Sequence, residues 1–161
     1  MAKGDIVPFV SSGSKTPGAI RYYVASGTTA SINAGEPVQK LAGAAGVTAM
    51  LTNSPTTTNL AVGISASAST ETASAAGYVD VIPAAAGQLF LANPKVAASW
   101  DTQAEYNALI GSRVLLDLTS STYTILATDN SANGCIVEYL NIAEHPGKVC
   151  FSFAQGKCYS N

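Results

Sequence analysis

Charge is what this sequence has least of. Only 11% of its 161 residues are Asp, Glu, Lys or Arg, against roughly 25% in typical soluble domains. The basic residues, Lys3, Lys15, Arg21, Lys40, Lys95, Arg113, Lys148 and Lys157, form no run. Displacing counterions from phosphates takes clustered cations, so no nucleic-acid partner is expected. No apolar run approaches the roughly 18 residues of a membrane helix. The start, Met-Ala-Lys-Gly-Asp, lacks the apolar core of a signal peptide. No membrane partner is expected, and the chain should be made in a cytoplasm. Cysteine is scarce and odd in number: Cys135, Cys150 and Cys158 match neither C-x-x-C nor a zinc spacing, and they read as free structural thiols.

Ala, Ser, Thr, Gly and Asn stand where the charges are missing. A surface of small neutral groups costs little to desolvate, which suits packing against other proteins. The 47% hydrophobic content is that of an ordinary globular chain and argues against disorder throughout. The length suits one domain with a core of its own.

Gly77 to Pro94 organises the rest. Tyr78–Ile82 and Gln88–Ala92 are β-type runs, and Pro83-Ala-Ala-Ala-Gly87 is the corner between them, so the stretch reads as strand, turn, strand. Elsewhere, Ile20, Tyr22 and Val24 share one face of a strand, with Arg21 and Tyr23 on the other. Asn33–Pro37 is a turn leading to a strand over 38–41, and Val47–Leu51 is the next. Leu60, Val62, Ile64 and Ala66 alternate with smaller residues as a half-buried strand. One helix is predicted, capped by Ser99 or Asp101, with Trp100, Ala104, Ala108 and Leu109 at helical spacing and Gly111 as its stop. Four strands follow: Val114–Leu118, Tyr123–Ile125, Ile136–Ile142 and Val149–Phe153. The pattern predicts an all-β sandwich or small barrel of antiparallel strands with one short helix.

The N-terminal 18 residues do not read as core. An apolar island, Ile6-Val7-Pro8-Phe9-Val10, lies between Lys3-Gly4-Asp5 and the Gly/Ser-rich run Ser11–Gly18. Two readings stand side by side: an extended arm over residues 1–18 that docks on a partner, or an N-terminal edge strand of the single β-rich domain over residues 19–161. On the arm reading, loss of residues 2–15 leaves the domain folded and weakens docking.

Chemical motifs are few. Ser12-Gly-Ser-Lys15 has the S-x-x-K spacing of serine acyltransferases, but it sits in a linker-like segment rather than at a helix start. Gly63-Ile-Ser65 begins a nucleophile elbow without the glycine that would complete it. Asp129–Gly134 resembles half a calcium loop, yet the position for the bidentate acid is Leu140, so a hairpin turn is expected. His145, the only histidine, falls in the turn Glu144-His-Pro-Gly147 and is expected to be solvated. The acids are spread out. No enzyme activity, metal or other cofactor is expected.

Three stretches carry a resemblance: Ala34-Gly-Glu-Pro-Val38, Asn59-Leu-Ala-Val-Gly-Ile64 and Gly77–Phe90. A Gly-Glu-Pro-Val turn shortly before a Val-Gly-Ile strand resembles the head decoration, or cement, proteins of lambda-type tailed bacteriophages. Trp100–Val114 and Pro146–Phe153 resemble similar proteins of marine phages. The chain departs from the lambda-type protein in being longer, with an added C-terminal β region. The resemblance implies a non-enzymatic protein on the outside of an assembled head, forming homotrimers that clamp neighbouring major capsid subunits. It also implies docking through the N-terminal arm, here Ile6, Val7, Pro8, Phe9 and Val10. The rival reading is a receptor- or carbohydrate-binding β-domain of a fibre or other virion appendage, which exposed Trp or Tyr platforms would favour.

Overall fold

Two antiparallel sheets packed against each other form the body of the protein. The computed structural model describes residues 6–9, 18–27, 31–50, 55, 59–119, 122–128 and 133–158. The strands are β1 (Val7–Phe9), β2 (Ile20–Val24), β3 (Pro37–Leu41), β4 (Val47–Ala49), β5 (Asn59–Ser65), β6 (Gly77–Pro83), β7 (Leu89–Ala92), β8 (Arg113–Thr119), β9 (Thr122–Leu126), β10 (Cys135–Val137) and β11 (Val149–Phe153). Helix α1 spans Gln103–Leu109, after a short 3₁₀ turn at Ala97–Ser99. One sheet has the order β1-β7-β11-β10-β8-β9 and the other β2-β6-β5-β3-β4.

Both sheets curl. In the larger one, β9 folds back on the chain just beyond β7: the Ile125 N–H donates to Asn93 O at 2.9 Å, and the Lys95 N–H donates to Ile125 O at 2.8 Å. In the smaller one the edge strands converge, and a Cβ on Gly46 would lie 2.6 Å from Tyr23 O. The smaller sheet wraps Val24, Ile32, Val38, Val47, Val62, Val79 and Val81. The larger core joins both sheets and holds Phe90, Phe151, Phe153, Trp100, Tyr106 and Tyr123 together with Ala61, Ile64 and Ile82.

The stretch Gly77–Pro94 departs from the expected strand pair. β6 belongs to one sheet and β7 to the other, so the Pro83–Gly87 corner carries the chain between layers. Pro83 still pairs with Gly63, and the Ala84 N–H donates to Val62 O at 2.8 Å. The corner therefore leaves β6 while held to β5, and Gly87 turns the chain at φ 79°. Residues 129–132 of the expected Asp129–Gly134 turn lie outside the described residues; the strands on either side of it, β9 and β10, do not pair with each other but lie on opposite sides of β8.

The alternation predicted for β5 also breaks. Val62 enters the small core, while Ala61 and Ile64 enter the large one. The cause is a bulge: Val38 pairs with Gly63 but Gln39 pairs with Ala61, leaving Val62 unmatched. Gly63 has φ 154°, and a Cβ there would meet Ile82 O at 1.9 Å. Only glycine fits that conformation and that approach.

Helix α1 is capped by Thr102 rather than Ser99 or Asp101. The Glu105 N–H donates to Thr102 Oγ1 at 3.2 Å and the Thr102 N–H to Glu105 Oε2 at 3.1 Å, a reciprocal capping box. Ala104 and Ala108 face solvent; Tyr106 is the buried helical residue. Its hydroxyl donates to Glu138 O at 3.0 Å and accepts the Cys150 N–H at 2.8 Å, pinning the helix over the ends of β10 and β11. Gly111, at φ 82°, ends the helix as expected. β10 stops at Val137, short of the strand predicted to reach Ile142.

The edge-strand alternative describes residues 6–9. Val7, Pro8 and Phe9 pair with Leu91, Phe90 and Leu89, and Ile6 is 1% exposed in the large core. Burying an isoleucine is worth roughly 1.5–3 kcal/mol, so loss of this segment costs the domain stability, contrary to the expectation for a free arm. Val10 and Ser11–Pro17 lie outside the described residues.

Candidate functional site

The residues singled out for docking are divided by the fold. Ile6 points into the core and cannot meet a partner without unfolding. Val7 is exposed on β1, the edge of the larger sheet. The Phe9 ring meets His145 edge-on, with centroids 5.2 Å apart. His145 is thus half-buried against β1 rather than fully solvated. Pro8 lacks an N–H, so this edge offers one donor fewer than an ordinary strand.

Of the three stretches of the resemblance, Ala34–Val38 leads into β3, Asn59–Ile64 lies in β5 beside it, and Gly77–Phe90 forms β6 beside β5 before crossing to β7 in the other sheet. Their joint is the Asn33–Pro37 turn. Glu36 is buried, and its Oε2 accepts the Asn33 N–H at 2.9 Å while Oε1 accepts Asn33 Nδ2 at 3.1 Å. The Glu36 N–H donates to Ser65 Oγ at 2.9 Å, and the Gly35 N–H donates to Ser65 O at 2.8 Å. The carboxylate thereby closes its own turn, and the turn's backbone N–H groups lock it to Ser65 at the end of β5. No periodicity reveals this burial, because the clue is the local Asn-x-x-Glu spacing. Gln39 next to it is fully buried, and neither its Oε1 nor its Nε2 has a hydrogen-bond partner.

Two residues from the motifs considered for chemistry, Ser65 and Asn133, are engaged in backbone hydrogen bonds. Ser65 donates to the Asn33 and Glu36 carbonyl oxygens, so its hydroxyl has no base beside it. Asn133, from the half calcium loop, gives its amide to the Arg113 and Thr128 carbonyls. Ser12 and Lys15 lie outside the described residues. Among the described residues, no group of three or more His, Cys, Asp or Glu is placed to hold a metal ion. Burial pushes the Cys135 thiol well above its ordinary value, the Cys150 thiol up to about 12, and Cys158 upward as well. Thiols so shifted hold no thiolate at neutral pH. Among the described residues, no helix is long and apolar enough to cross a membrane.

Two concavities among the described residues bear on ligand binding. An apolar groove of about 630 Å³ opens between Ile20, Tyr22, the Ala84–Ala86 corner and Phe153. A smaller cleft of about 140 Å³ lies on the outside of β2 and β6, between Arg21, Asp80, Tyr78 and the Ser67–Thr70 segment. Neither was legible in the sequence, because both depend on which strands become neighbours.

No family model, curated protein or solved structure matches the chain.

Proposed function

We propose that this protein is a structural decoration, or cement, protein of a tailed-phage head. It binds the outside of the assembled shell as a homotrimer and stabilises it by clamping neighbouring major capsid subunits, without enzymatic activity or a cofactor. The observation that carries this reading is the convergence of Ala34–Val38, Asn59–Ile64 and the β6 part of Gly77–Phe90. These stretches resemble decoration proteins separately in sequence, and they form adjoining strands joined by the Glu36–Ser65 lock. The sparse charge supports it too, since neutral surfaces dock on other proteins at little desolvation cost.

Docking runs through the edge of β1, where exposed Val7 and the outward backbone groups accept a strand from the capsid or a neighbouring copy. Ile6 and Phe9 hold that edge in place from the inside. Co-sedimentation with undecorated heads tests this. Val7→Asp is expected to weaken attachment about tenfold, on the order of 1.4 kcal/mol, with unchanged melting. Equal attachment of the variant moves the docking surface elsewhere, and failure of the unmodified protein to attach removes the reading. The rival, a glycan- or receptor-binding domain of an appendage, draws on one observation, the exposed tyrosines of β2 and β6.

A further inference from the structure

The outer face of β2 and β6 is built unlike the rest of the surface. Two adjacent cross-strand pairs stand on it, Arg21 opposite Asp80 and Tyr23 opposite Tyr78. Val79 and Val81 turn into the small core, which leaves Tyr78 and Asp80 facing outward between them. Tyr78 is 54% exposed and Tyr23 42%, and their rings meet edge to face with centroids 6.3 Å apart. Two large aromatic groups left in water side by side, on the edge strand β2 and its neighbour β6, form an exposed patch of the kind that marks a binding surface.

Beside the rings sits a planar polar fork. Arg21 Nε donates to Asp80 Oδ1 at 2.9 Å and Nη2 to Oδ2 at 3.2 Å. That side-on geometry leaves further guanidinium donors and carboxylate lone pairs directed outward. The floor of the cleft is preorganised: the Tyr78 N–H donates to Thr70 Oγ1 at 3.0 Å and the Asp80 N–H to Ser67 Oγ at 3.3 Å. The cleft of about 140 Å³ between the fork, the Tyr78 ring, Ser67, Ala68 and Thr70 is too small for a folded partner's loop and suits one ring-sized group.

We propose that this face is a glycan-binding site that takes a pyranose with vicinal hydroxyls. The C–H face of the sugar lies against the Tyr78 ring, which Tyr23 holds edge-on from the neighbouring strand. Neighbouring hydroxyls bridge the Arg21–Asp80 fork, one donating to the carboxylate and one accepting from the guanidinium. An aromatic ring beside a paired donor and acceptor matches a sugar's own division into an apolar face and a polar rim.

Saturation-transfer difference NMR on the full chain, with the methyl glycosides of glucose, galactose, mannose and N-acetylglucosamine as probes, tests it. At least one glycoside is expected to receive saturation. Its affinity should fall at least tenfold in Tyr78→Ala, in Tyr23→Ala and in Asp80→Asn. Tyr139→Ala, at a tyrosine 64% exposed elsewhere, should bind as the parent does. Thermal melting of each variant confirms that these exposed positions leave the fold intact. No transfer to any of the four probes, or undiminished transfer in both tyrosine variants, overturns the proposal. Loss of head attachment by Tyr78→Ala without transfer to any glycoside would also overturn it, and would assign the face to protein contact.

Discussion

The smaller sheet is filled by β-branched side chains, Val24, Ile32, Val38, Val47, Val62, Val79 and Val81. The larger sheet is filled by rings: Phe90, Phe151 and Phe153 meet with centroid separations of 5.5 to 5.8 Å, and Trp100 meets Tyr106 at 5.6 Å. Their closures differ as well. The smaller sheet closes by a close approach of Gly46 to the Tyr23 backbone, with the Lys40 ammonium donating to Gly46 O at 3.3 Å. The larger closes at Lys95, whose backbone joins Ile125 and whose ammonium pairs with Asp117 at 2.9 Å. Valines are short and stiff at χ1, so they fill a tightly curled sheet with little rearrangement. Rings bridge the wider gap between layers, and each carries more buried area. The exposed face that would bind a ligand lies on the tightly curled sheet, whereas the edge that would bind a shell lies on the ring-filled one.

The largest effect expected is at the residue where one strand serves both cores. Gly63→Ala places a Cβ where Ile82 O stands, at a backbone angle that other residues rarely adopt. It should cost more than about 4 kcal/mol, read as loss of the cooperative urea transition. A transition like that of the parent would show that β5 need not bulge to feed both cores.

How much of this was legible in the sequence follows from the range of each signal. Period-two alternation located β2, β8, β9 and β11 because it is local. It failed at β5, where a bulge shifts the phase midway, and at the Pro83–Gly87 corner, where the same residues serve a hairpin or a change of sheet. The helix is legible in the sequence, but its cap is Thr102 rather than Ser99 or Asp101, because only Thr102 has a glutamate three residues on to complete a capping box. Gln39 and the Tyr23–Tyr78 pair were invisible, since each depends on strand neighbours far apart in the chain, whereas Glu36 leaves a local trace in the Asn33-x-x-Glu36 spacing. The apolar island at 6–10 was seen, and Ile6 proved to be the residue that returns to the core.

The contrast between the cores sharpens through one matched pair of truncations. Phe151→Ala removes a ring touching two others and should cost about 3–5 kcal/mol. Val62→Ala removes two methyl groups from the small core and should cost about 2 kcal/mol. Chemical denaturation of both variants reads the difference. Equal losses would mean that the small core cannot relax and is the less forgiving of the two.

The smallest effect concerns the seam of the larger sheet. Burial works against ionisation of Asp117, but hydrogen bonds from Thr119 and Lys95 and the charge of Lys95 outweigh it, so its acidity lies below the usual carboxylate range. A depressed folded-state value contributes stability above the unfolded value of about 3.9, and that contribution is lost as pH falls through the folded value. Asp117→Asn should therefore flatten the dependence of melting on pH below about pH 4 and leave its shape near neutrality unchanged. A parent-like acid profile in the variant would place the titrating group elsewhere.

Quantitative mass spectrometry of purified virions tests the central claim most directly. A shell protein that clamps neighbouring capsid subunits must be present in numbers comparable to the major capsid protein, and that is the result expected. A copy number far below it, of the order carried by a tail fibre, or absence from virions altogether, would contradict the assignment.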